Sequence, residues 1–463
     1  MVNDAPANAP QPIELDDIQG LVVSSFAHLQ CVAYSLLRVV DGPRACAWLA
    51  EQLPLITPAT EKKEGWCLNI AFTLEGLAAL GVDNESLATF PLAMQNGGMA
   101  SERRSRILGD RDHNAPTVWE WGGPDTPPVH VLVMIFGEDD ATRDRQLVAF
   151  LPDAKDGLEE VLTLKAGRQP DSREHFGFAD GVGQPVIAGS GRESTQQKRT
   201  GHHTSIAAGE FILGYKNADD HYPLSPKLGA SDLGKNGTYL VFRQLQQDVA
   251  GFWNATRAEA SAIWPRDSRG AERLASKMVG RWMSGAALVL HPDRDPDDGV
   301  PQPTTDNDFA YSESDEHGSR CPVGAHIRRS NPRDALGPDP ATALVSARRH
   351  RLMRRGRSYG DRIADLMVDD GAKRGLHFLC LNADLERQFE FVQQTWLNNP
   401  GFAGLSGELD PMVGPSGDAG CPFTMQGEPL RTRAHGIRSY VTVVGGAYWF
   451  LPGLLALEMI ARR

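Results

Sequence analysis

Three stretches of the sequence carry side chains with the means to do chemistry. In HFGFADGVGQP, from His175 to Pro185, Asp180 is a lone acid among glycines and aromatics. Asp before Gly is a common turn pair, because Asp tolerates the left-handed region and Gly supplies positive φ. Framed by Phe176, Phe178 and Val182, the same carboxylate would instead be desolvated, with an altered proton affinity suited to acid–base work. In CPVGAHIRRSNPRD, His326 stands in an apolar bracket just ahead of Arg328 and Arg329. It reads either as a satisfied structural histidine or as an axial haem ligand, one nitrogen on iron and the other on an acceptor. The arginines would then suit haem propionates. Six arginines lie between Arg348 and Arg357. They read as a solvated helix face, or as the source of one guanidinium aimed inwards at an anion.

Other chemistries find no support. His202 and His203 have no third ligand at zinc spacing, and neither a Walker loop, a GxSxG elbow nor a dinucleotide fingerprint occurs. The formal charge is -12 and the arginine run lacks interleaved aromatics, which argues against nucleic acid as a partner. The six cysteines are far apart, with no CxxC pair, and read as reduced thiols. MVNDAPANAPQPIELDD lacks the basic and apolar regions of a secretory signal. The apolar stretch SYVTVVGGAYWFLPGLLALEMIARR is cut by Gly445, Gly446, Pro452 and Gly453, so it reads as strand, turn and helix, and no membrane span is expected. The expected location is the cytoplasm.

The elements that must position these residues alternate along 463 residues. The first dozen residues read as a disordered arm. DIQGLVVSSF reads as a strand, AHLQCVAYSLLRV as a strand or short helix, and ACAWLAEQLPLI as a helix. WCLNIAFTLEGLAALGV is a strand followed by a helix, and VHVLVMIFGE is a strand. ATRDRQLVAFLPDAKDGLEEVL reads as one helix. A loop-rich middle from Leu164 to Asn236 holds the Asp180 motif. After it, GTYLVFRQLQQDVAGFWNATRAEA is strand plus helix, and GLHFLCLNADLERQFEFVQQTWLNN is a strand entering a long amphipathic helix. The second half thus repeats the order of the first, which points to a duplicated α+β unit.

Taken together, the segments resemble the dye-decolourising peroxidase family of haem enzymes. Its GxxDG motif stands here as Gly177-Phe178-Ala179-Asp180-Gly181, and CPVGAHIRRSNPR and HRLMRRGRSYG match its histidine and arginine segments. Likeness continues in DIQGLVV, LGKNGTYLVFRQLQQDVAGFW and GLHFLCLNADLERQFEFVQQTW, over nearly the whole chain. The resemblance implies two ferredoxin-like α+β domains, antiparallel sheets with helices packed on them, with haem b held mainly by the C-terminal one. It sets an N-terminal domain over 13–205, ending in the GxxDG loop, and a C-terminal domain over 206–463. His326 would be the iron ligand, and Asp180 would take a proton from hydrogen peroxide and pass it to the leaving oxygen. Arg354, chosen by its spacing to Tyr359-Gly360, would stabilise developing charge, with Arg355 as the fallback. Leu376 and Phe378 would restrict access. Asp410 is the first choice for the second nitrogen of His326 and Glu390 the second. Arg328 and Arg333 would meet the propionates, and Gly177, Phe178, Ala179 and Gly181 would approach the haem face.

The implied substrates are hydrogen peroxide and organic donors such as dyes and phenols. A free aspartate titrates near ~4 and stays a base in acid, so acidic pH is favoured. Electrons from bulky dyes would pass through surface aromatics, for which nine tryptophans and eight tyrosines offer themselves. The alternative is a haem-handling protein that uses the same pocket without turnover. Homo-oligomerisation is left open; encapsulation in a protein shell is compatible, though no targeting tail follows the terminal helix.

Overall fold

The computed structural model describes residues 12–60, 62–151, 156–192, 205–296 and 307–463. The arm expected at the N-terminus therefore lies outside the described residues but for Pro12, as do His202 and His203.

Strands β1 (Cys31–Val39), β2 (Trp66–Phe72), β3 (Val131–Gly137) and β4 (Leu158–Gly167) pair antiparallel in the order β4-β1-β3-β2. Helix α1 (Gly42–Gln52) joins β1 to β2, and α2 (Asp140–Phe150) joins β3 to β4. This is the βαββαβ order of a ferredoxin-like unit. The second half repeats it. Strand β5 (Thr238–Gln247) is followed by α3 (Val249–Ile263) and α4 (Gly270–Val279), then by the short β6 (Met353–Arg354) and β7 (Arg357–Tyr359). β8 (Gly375–Asn382) pairs with β5 on one side and with β6 and β7 on the other, while β9 (Val441–Leu451) covers the far side of β5. Two contacts, Ser358 opposite Gly167 and Phe450 opposite Phe72, join the halves and close the strands into a ring.

Side chains alternate across a strand, so each strand faces two cores. Tyr34, Leu36, Leu132, Phe242, Leu379 and Trp449 fill one, inside the ring. Ala33, Leu37, Ile70, Val133, Val241 and Cys380 fill the other, beneath the helices. On β8 this alternation turns His377 inwards and Leu376 and Phe378 outwards, onto the face where the site lies.

Several local expectations give way. α2 stops at Phe150, and Leu158–Leu162, read as its continuation, belongs to the strand β4. Gly157 makes the break: its φ of +72° suits glycine, and an added Cβ would come 2.4 Å from the Asp41 carbonyl oxygen. DIQGLVV forms turns rather than a strand. Gly445 and Gly446 do not end β9, which runs through them with a bulge. The helix after β8 is wound as π-helix over Glu386–Glu390 and Val392–Leu397. No helix among the described residues is long and apolar enough to cross a membrane.

Candidate active site

The outward face of β5 and β8, the 172–183 loop, the 351–356 segment and the short helix α5 (His326–Ser330) enclose a cavity of about 340 Å³. Its walls bring Asp180, His326, Arg333, Arg354, Leu376 and Phe378 together.

On one wall, His326 opens α5 and turns its ring to the cavity, with its side chain 31% exposed. Its Nδ1 lies 3.1 and 3.0 Å from the two carboxylate oxygens of Asp410. That hydrogen bond makes Nδ1 the protonated nitrogen and leaves the Nε2 lone pair for a ligand. Asp410 is buried and also accepts from the amides of Met412 and Val413 at 2.9 Å. Burial by itself would raise its carboxyl, but His326, its hydrogen bond and Arg329 outweigh that and hold it below the usual range. Glu390, the second choice for this role, is engaged elsewhere: it accepts from Tyr448 at 2.8 Å and pairs with Arg104.

A second part of the lining is the Asp180 loop. Residues 173 and 179 bridge across it, and Gly177, at φ +95°, makes the turn between them. Asp180 accepts from the Gly181 amide at 2.6 Å and donates its own amide to Ser172. It is exposed, not desolvated as its aromatic neighbours led us to expect. Phe176 and Phe178 turn down into the core on α3, where Phe176 meets Phe252 at 4.6 Å. Arg354 presents its side chain to the same cavity while its amide donates to Gln184, and no ion pair joins it to Asp180. Arg355, the fallback, is buried on the other side of the strand and donates to the carbonyls of Leu21 and Val22.

A third corner is basic. Arg351 is pushed down to about 9 by burial and then by the charges of Arg333, Arg354 and Arg348. Arg333 lies over the Phe309 ring and donates to Asn307 and to the Phe309 carbonyl, none of them a carboxylate. Around the cavity five arginines (Arg243, Arg281, Arg333, Arg351, Arg354) face three acids (Asp110, Glu174, Asp180). A buried cationic surplus in an acidic protein calls for an anionic ligand. With apolar walls and an imidazole whose Nε2 is free, the residues fit a haem, and Arg333 and Arg351 would meet its propionates. Arg328 does not take part: it is buried against Asp315, donating to its carboxylate at 3.1 Å and to the Cys321 carbonyl.

Sequence reasoning missed three residues. Arg329 is fully buried and donates to the carbonyls of Gly324, Trp396, Asn399 and Glu408, which ties α5 to the loop bearing Asp410. Its place next to Arg328 masked the difference. Glu174 and Gln247 form a contact beneath the Asp180 loop, and its only sequence signal is an acid six residues ahead of the motif aspartate.

No family model matches the chain. It is 30% identical over 450 residues to a dye-decolorizing peroxidase of Mycena epipterygia, covering 88% of this chain and 80% of that protein. Against the multifunctional dye peroxidase DyP2 of Amycolatopsis sp. it is 30% identical over 470 residues, with 96% and 88% covered. A dye-decolorizing peroxidase structure from Auricularia auricula-judae superposes with a TM-score of 0.79 at 26% identity, over 97% of this chain and 100% of that one. The DyP-type peroxidase of Anabaena sp. shares the fold, with a TM-score of 0.79 at 22% identity over 96% of this chain and 94% of that one. Two ferredoxin-like units around a common cavity, and relatives of this identity along almost the full length, make the chain a member of the dye-decolorizing peroxidase family and a peroxidase.

Proposed function

We propose that the cavity holds haem b, with His326 as its iron ligand, and that the protein reduces hydrogen peroxide while oxidising dyes and phenolic donors, best in acid. The observation that carries this reading is that His326, paired with Asp410, lines one cavity together with a carboxylate and a guanidinium, those of Asp180 and Arg354. When bound, the haem supplies the electrons that reduce the peroxide.

The chain's own residues do the rest. Asp410 keeps the His326 ring oriented and its Nε2 unprotonated. Asp180 accepts a proton from one peroxide oxygen and returns it to the other, so the departing oxygen leaves as water. Arg354 stabilises the negative charge that grows on that oxygen. Leu376 and Phe378 narrow the space above, admitting peroxide and excluding bulky dyes, whose electrons then enter through the protein. Arg333 and Arg351 hold the propionates. Aspartate as a residue type titrates well below histidine, which supports the acidic preference.

The test is spectroscopic. His326→Ala should lose the haem absorption band of the parent. Asp180→Asn and Arg354→Leu should keep that band yet react with peroxide about 100-fold more slowly or worse in stopped-flow mixing. Parental rates in both variants would overturn the roles given to Asp180 and Arg354.

A further inference from the structure

Arg329 follows His326 on α5, and the reaction outlined above gives its charge no part. The side chain is fully buried, and its guanidinium donates only to carbonyls among the described residues. Those of Gly324, Trp396, Asn399 and Glu408 accept at 3.2, 2.8, 3.1 and 2.7 Å. The Phe402 ring lies 5.0 Å from the guanidinium carbon. Carbonyls and a ring satisfy the N–H groups but leave the cation without a counter-charge. In a dry interior such a charge acts on acids beyond hydrogen-bond reach.

Two acids are near enough to feel it. Burial pushes Arg329 down, while Asp410 first and Glu408 second pull it back up. Glu408 is occupied on another side: its carboxylate accepts from the Thr424 amide at 2.9 Å, and Arg433 stands 3.7 Å away. Asp410 has only one ion pair among the described residues, with His326. Its remaining donors are the neutral amides of Met412 and Val413. The Asp410 amide donates to the Leu397 carbonyl at 2.9 Å, so the acid hangs between two stretches of chain that Arg329 grips, at Trp396 and at Glu408.

We propose that Arg329 is a positioning residue whose charge limits how far Asp410 draws the proton from Nδ1 of His326. This rests on the reading that His326 binds the iron. A carboxylate near a fixed cation has less affinity for a proton and is a weaker acceptor. The Nδ1 proton therefore stays on the ring, and the ligand is a neutral imidazole. Without the cation, Asp410 would take a larger share of that proton and leave a more anionic ring, a stronger donor through Nε2. The four contacts alone predict the reverse. Their loss would slacken the His326–Asp410 hydrogen bond and make the ring a poorer donor.

The opposite signs give the test. Resonance Raman spectra of the ferrous, haem-loaded protein read the iron–histidine stretch, and spectroelectrochemistry reads the ferric/ferrous midpoint. Arg329→Gln, neutral but still able to donate, should raise the stretch and lower the midpoint. Arg329→Lys, which keeps the charge and loses the fork of donors, should stay close to the parent in both. A parental or lowered stretch in Arg329→Gln overturns the proposal. So does an equal displacement in the two variants, which would follow the contacts and not the charge. Should Arg329→Gln fail to hold haem, Arg329→Lys decides: a parental stretch supports the role of charge, and a lowered one overturns it. An iron–histidine band absent from the parent, with haem retained in His326→Ala, instead overturns the reading on which the proposal rests.

Discussion

At the scale of single residues, the Asp410 carboxylate is the most informative, because it contacts His326 without lining the cavity itself. Asp410→Asn should retain the fold, bind haem about 10- to 100-fold more weakly and lower the iron–histidine stretching frequency in resonance Raman spectra, as the ring loses its anionic partner. His377 shows the opposite situation. It is buried between Tyr359, whose ring stacks on it at 4.6 Å, and Tyr34 and Phe242, and neither ring nitrogen has a hydrogen-bond partner. Burial pushes it down to about 3 from an ordinary 6.5. The unfolded chain therefore takes up a proton below 6.5 that the folded chain refuses, and stability is lost as pH falls from 6.5 toward 3. His377→Phe should narrow the gap between thermal midpoints measured at pH 7 and pH 5. The sequence displayed His326 and Asp180, which the cavity brings together, because their neighbours are unusual. It also displayed the alternation of Leu376, His377 and Phe378. It could not tell Arg328 from Arg333, since the direction of a guanidinium depends on which carbonyls and carboxylates the fold brings near.

At the scale of elements, α5 is too short to hold itself and depends on Arg329. Its four carbonyl acceptors lie on three separate stretches of chain, so it does the work that a longer helix would do by its own ladder. Arg329→Leu would leave those carbonyls unmet and should destabilise the protein by about 3 kcal/mol in denaturant unfolding, with the haem band weakened in parallel. Strands with unbroken β-branched or aromatic runs, such as β3 and β5, were legible from their apolar pattern. β4 was not: LEEVLTLKAG has the composition of a helix, and only its pairing with β1, which spans from Cys31 to Val39, makes it a strand. The break at Gly157 was the missed local signal.

At the scale of the whole molecule, two groups oppose each other in pH. Glu174 keeps its proton up to about 7 in the fold, while an ordinary glutamate loses it near 4.5. Its contribution is thus full below 4.5 and is lost as pH rises to 7, whereas that of His377 is lost as pH falls. The windows overlap between pH 4.5 and 6.5, where the two slopes oppose each other, so stability should be flattest there and fall on either side. Glu174→Gln should flatten the alkaline side of a midpoint-against-pH curve and leave the acidic side unchanged. The duplicated architecture was legible from the repeated element order, but its closure was not, since nothing local to the sequence specifies a contact of one residue on each side.

That closure has a consequence for how molecules of this protein meet one another. An open sheet ends in strands with a row of free amides and carbonyls, which another chain can extend. Here β4 meets β7 at Ser358 and β2 meets β9 at Phe450, so each of these end strands is bridged at a single position, and the rest of its edge has no ladder partner among the described residues. A strand added to either edge would have to stop at the bridged position, so the two seams limit how far such an addition can run.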